Sequence, residues 1–122
     1  MPSIQQTSSA YFDLARTTKS DKSLEYDVIA SVTAQLKAAS ESNVTYQKSV
    51  EALDRNRRMW GVIATSVADS ENSYPEELRA NLFYLFEFTS YMTQKILVHD
   101  AKIDALVDIN MAVLRGLKGN IT

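Results

Sequence analysis

Cysteine is absent from this 122-residue chain, and glycine and proline are scarce, with three and two copies. Without thiols there is no disulfide framework, no thiolate zinc site and no cysteine nucleophile, a usage that suits a reducing compartment. So few turn-formers disfavour sandwiches, barrels and glycine-rich phosphate loops, and favour long helices with few connections. Long apolar runs are missing as well. The longest, at 59–64 and 82–86, fall far short of the roughly 20 residues a membrane span needs. The opening Met1-Pro2-Ser3-Ile4-Gln5-Gln6 has neither a basic leader nor an apolar block, so it does not read as a secretory signal and a cytoplasmic protein is expected. A strong charge of either sign is also lacking. The net charge of −2 provides no basic field to gather nucleic acid or anionic lipid.

What is present is an ordinary soluble balance, 45% hydrophobic and 23% charged, in a length suited to one domain. Residues 1–9 are polar and aperiodic and read as a tail; residues 10–119 read as a single helical domain. Tyr11, Phe12 and Leu14 stand in a polar stretch and suggest a short docking helix of a turn or two. At about 100° per residue, four main helices follow, at about 21–40, 44–68, 75–98 and 101–117. On the first, Leu24, Val28, Ile29, Val32, Leu36 and Ala39 share a sector, with Tyr26, Thr33 and Lys37 facing away. On the second, capped by Asn43, Tyr46, Val50, Leu53, Trp60, Ile63, Ala64 and Val67 share a face. That reading sets Arg57 in the middle of the face and Met59 and Val62 on its back. The third opens on Ser73-Tyr74-Pro75-Glu76, the spelling of a capping box with proline in the first turn. Its main stripe is Leu78, Leu82, Leu85, Phe86, Met92 and Ile96, and a second stripe, Tyr84, Phe88 and Tyr91, lies at a large angle to it. The fourth buries Ile103, Leu106, Val107, Ile109, Val113, Leu114 and Leu117, with Asn110 near the middle and Gly119 as terminator. The fold class expected is all-α, a single-domain compact bundle of about four main helices.

Catalytic chemistry finds little footing. The lone histidine, His99, beside Asp100, reads as a capping or solvated residue. No Glu-x-x-His pair supports a di-metal site. Asp100, Asp104 and Asp108 recur every four residues as a solvated face that complements the helix dipole. No catalytic residue, metal ligand or cofactor is therefore assigned, and the chain is expected not to be an enzyme. Arg55, Arg57 and Arg58 form the one basic cluster. Arg55 and Arg58 could meet phosphate, although solubility is the simpler reading, and Arg57 is expected to snorkel or to pair with Glu77 or Glu87. Trp60 is expected in the core, and Asn110 is expected as a satisfied buried polar group that fixes specificity. The third helix carries more apolar surface than one core contact uses. Its second stripe is either covered by Tyr11, Phe12 and Leu14 or left as a groove for an amphipathic helix of another protein.

Three blocks in order, RRMW at 57–60, YPEELRANL at 74–82 and ALVDINMAVLRGL at 105–117, resemble the FlaF family, small flagellar biosynthesis regulators of alphaproteobacteria. The resemblance covers roughly residues 10–117. It implies a non-enzymatic cytoplasmic factor that binds flagellin before export, as a chaperone or adaptor, in concert with the translational regulator FlbT. The surplus aromatic stripe is compatible with that, and Tyr84, Phe88 and Tyr91 are the residues expected to meet the partner; should that stripe be core, the back of the second helix around Met59 and Val62 is the alternative surface. Two other functions remain open: direct RNA binding through Arg55 and Arg58 to regulate flagellin translation, and a structural role by self-association. The acidic net charge counts against the former.

Overall fold

A computed structural model of the chain describes residues 21–41, 43–99 and 101–121. Four α-helices account for almost all of them: α1 (Asp21–Ala39), α2 (Tyr46–Ala68), α3 (Glu76–His99) and α4 (Asp104–Ile121). Among the described residues there is no strand. Among the described residues no helix is long and apolar enough to cross a membrane. The tail and docking helix expected before residue 21 lie outside the described residues.

Several helix ends have a local cause. Thr45, rather than Asn43, is the N-cap of α2: its backbone is extended and its hydroxyl accepts from the Lys48 N–H at 3.2 Å. The α2 C-terminus is closed from outside. Arg79 of α3 donates from Nε to the Val67 carbonyl at 2.8 Å and from Nη2 to the Asp69 carbonyl at 2.9 Å, satisfying acceptors that a helix end otherwise leaves to water. Asn72 shapes the turn into α3. Its amide donates to the Ser66 carbonyl at 3.0 Å, and its Oδ1 accepts from the Tyr74 N–H at 2.9 Å. At the start of α4 the Ile103 carbonyl accepts from Leu106 and Val107. Gly119 does not stop that helix, which runs on to Ile121; a helical glycine costs about 1 kcal/mol against alanine but does not force an end.

The helices neighbour one another in sequence order, with α4 closing on α1, while α1 and α3, like α2 and α4, sit on the diagonals. Short connections and this ring make an up-down-up-down bundle. Its core is in two layers. One is built by Ile29 and Val32 of α1, Trp60 and Ile63 of α2, Leu82 of α3 and Leu114 of α4. The other is built by Leu36, Leu53, Ile96 and Leu106. Each layer draws on the first half of one helix and the second half of the next, which is the signature of antiparallel neighbours.

Between the layers, by position along every helix, lie the buried polar residues Thr33, Asn56, Thr89, Thr93 and Asn110. Thr33 and Thr93 return their hydroxyls to the carbonyls four residues back, Ile29 and Thr89, at 2.6 and 2.7 Å. The other partnership crosses the bundle. Trp60 Nε1 donates to Asn110 Oδ1 at 3.0 Å, and Asn110 Nδ2 donates to Asn56 Oδ1 at 2.9 Å. The indole can only donate, so it dictates the orientation of both amides in turn. Asn56 Nδ2, at the end of the chain of bonds, is buried with no protein partner.

Several expectations need correction here. Thr33 is buried rather than facing away. Tyr46 is 74% exposed, not part of the α2 core. Met59, expected on the back of α2, is 4% exposed and belongs to the core. Arg57, expected on the apolar face, points outward and pairs with Asp54 at 3.0 Å. All the α2 errors share one cause. The buried seam runs Leu53, Asn56, Trp60, Ile63, Val67, at spacings of three and four, through an asparagine. Reading it through apolar residues only kept Leu53, Trp60, Ile63, Ala64 and Val67 on the face but swung its centre by roughly 45°, toward Tyr46 and Arg57 and away from Met59.

Candidate functional site

Helix α3 sends Leu82, Thr89, Thr93 and Ile96 into the bundle. Tyr84, Phe88 and Tyr91 recur at spacings of four and three, so they share one face, and at roughly 100° per residue that face is far from the buried one. All three reach solvent, Tyr84 at 65% and Tyr91 at 55% exposure, with Phe88 the most covered of them at 38%. Lys95 and Val98 continue the same row, and the Lys95 ammonium sits 5.0 Å from the centre of the Tyr91 ring, a cation–π contact. The row thus repeats with the alternating spacing of a helix-pairing seam, yet no helix of the bundle pairs with it.

Two hollows flank this helix. One, of about 420 Å³, runs along the α2–α3 edge, floored by Val67, Ala68, Ala80 and Phe83 and opening beside Tyr84, with Glu76 and Glu87 on its rim. The other, of about 210 Å³, lies between α3 and α4 and is walled by Leu78, Leu82, Leu85, Val113 and Leu117. Neither is legible in a one-dimensional pattern, because each is lined by residues of two different helices.

The remaining sequence candidates part company. Met59 is inside the core, and Val62 is half-buried, so the back of α2 offers no apolar patch centred on them. The arginine cluster is spent on internal partners. Arg55 donates to Gln35 Oε1 at 2.7 Å and to Ser31 Oγ at 3.2 Å, tying α2 to α1. Arg57 and Arg58 share the Asp54 carboxylate, at 3.0 and 2.9 Å. Among the described residues, no group of histidine, aspartate and glutamate side chains is placed to hold a metal ion.

The class these features define is a small antiparallel four-helix bundle that displays an unpaired aromatic helix face. The family described as "Flagellar protein FlaF" matches over residues 7–117. The chain belongs to the FlaF family, a flagellar protein family. No curated protein and no solved structure matches it significantly.

Proposed function

We propose that this chain is a non-enzymatic cytoplasmic factor of flagellar biosynthesis that binds flagellin, as a chaperone or adaptor supporting its synthesis and export, with FlbT as an associated regulator. The observation that carries the reading is the exposed row Tyr84, Phe88 and Tyr91 on the face of α3 turned from the core. An unassembled protein built on amphipathic helices needs its apolar faces covered, and a helix laid on this row would bury apolar area at about 25 cal/mol per Å² before ordering costs. Tyrosine serves such a surface well, being apolar in its ring and wet at its hydroxyl. The net charge of −2 supports a protein partner over an RNA one, since phosphate contacts need many lysine or arginine side chains on one face.

The test is a flagellin-binding titration of the full chain and its Phe88→Ala variant. Aromatic anchors of this kind carry about 2 kcal/mol or more, so Phe88→Ala is expected to weaken binding more than tenfold while its thermal melt stays close to that of the parent. Unchanged binding together with a collapsed melt would assign Phe88 to the core and defeat the reading.

A further inference from the structure

The hollow beside Tyr84 says more about what the face accepts. Along α3, Glu76, Ala80, Phe83 and Glu87 follow one another at spacings of four, three and four, and Val67 and Ala68 of α2 supply the facing wall. It is a trough of mixed lining, with an alanine and phenylalanine floor, Arg79 in its wall and one carboxylate toward each end. The two glutamates are eleven residues apart, roughly 16 Å at the helical rise. Both are exposed, and neither has an ion pair among the described residues. One cation lines the trough, Arg79, held by the Val67 and Asp69 carbonyls; these neutral acceptors leave its charge in place, so the two glutamates and Arg79 give the lining a net charge of −1. Glu77 and Asp69 are exposed close by, so the field over this end of α3 is negative.

We infer that the α2–α3 trough and the aromatic row together seat an amphipathic helix from another protein, whose apolar stripe is flanked by lysine or arginine side chains about three turns apart, one meeting Glu76 and the other Glu87. The inference rests on the partner-binding reading of α3 and adds the charge pattern of the partner. Long basic side chains suit the trough because their methylene stems lie on Ala80 and Phe83 while the charged heads reach the carboxylates. Burial on the aromatic row holds the helix, and the two end charges select which helices are held and in what register. An acidic segment meets a lining of net negative charge and is rejected.

Flagellin itself is the probe, titrated with the full chain and with Glu76→Gln, Glu87→Gln, the double variant, Phe88→Ala, and Glu41→Gln as a control of equal charge change outside the trough. Exposed pairs of this kind are each worth about two- to fivefold in affinity. Each glutamine variant is therefore expected to weaken binding by about that factor near 50 mM salt, with the effects multiplying because the sites do not touch. The difference should fade near 500 mM salt, where screening reaches roughly 4 Å. Glu41→Gln should match the parent. Phe88→Ala should stay weak at both salt concentrations. Glutamine variants indistinguishable from Glu41→Gln would overturn the inference while leaving the aromatic row intact. Full binding by Phe88→Ala, or no binding by the parent chain, would overturn the partner reading and the inference with it. A second copy is the competing occupant, since an antiparallel α3 would bring its own Lys95 toward Glu87. Sedimentation showing a dimer that Glu87→Gln dissociates would assign the trough to that copy and overturn the inference.

Discussion

At the scale of single residues, the Trp60–Asn110–Asn56 relay is the feature whose energetics are easiest to order. Asn110 is fully buried and holds a bond on each side. Its replacement by leucine strands both the indole N–H and the Asn56 carbonyl oxygen, and a stranded buried group costs about 1–3 kcal/mol. Asn110→Leu should therefore lose roughly 2–5 kcal/mol in urea melts. Asn56→Leu should lose clearly less, because it strands only the Asn110 amide while removing the already unpartnered Asn56 Nδ2. Equal losses would mean that a buried water satisfies Asn56, as often happens at such sites. Arg79 is a second single residue with reach. Arg79→Ala withdraws two charge-assisted bonds from the α2 terminus, and a loss of about 1–3 kcal/mol is expected by thermal melt.

At the scale of elements, α2 is held by packing more than by its own composition. It carries Gly61 in its middle, where an added Cβ would meet nothing within 4 Å. Gly61→Ala should accordingly raise stability by about 0.5–1 kcal/mol through helix propensity alone, read as a higher urea midpoint at unchanged slope. Leu53→Ala on the same helix should go the other way by about 2–5 kcal/mol, since Leu53 is 2% exposed in one layer and a cavity replaces it. Helix α3 behaves differently from the rest. It buries Leu82, Thr89, Thr93 and Ile96 but leaves Tyr84, Phe88, Tyr91 and Val98 in solvent. Substitutions along its outer row should cost binding rather than stability, and that split is what separates a docking face from a core.

For the whole molecule, the two core layers share all four helices. No layer can open without breaking helices that the other needs, so equilibrium unfolding should be a single transition. Trp60 lies at the inner edge of one layer and is completely buried. Its fluorescence should therefore change with the same urea midpoint as the far-UV circular dichroism signal. Separate midpoints would show that the polar belt between the layers lets the halves part.

The four helices were readable from sequence because each presents an apolar row with a period near 3.6, and the scarcity of glycine and proline left nowhere else for the chain to turn. The aromatic row on α3 was readable for the same reason: two stripes on one helix cannot both face one core. Trp60 and Asn110 were also placed correctly, since both lie on the apolar row of their helix. Asn56 was missed, although its spacing of three from Leu53 and four from Trp60 carried the signal, because a polar residue does not register in a pattern of apolar ones. That omission displaced Arg57 and Met59. What the tertiary structure alone decided are the partnerships between helices: Arg79 closing the end of α2, the indole orienting two amides on different helices, and the trough between α2 and α3. Periodicity fixes which side of a helix is apolar. Which neighbour meets that side, at what height and with what gap between, depends on how four such faces fit around one core.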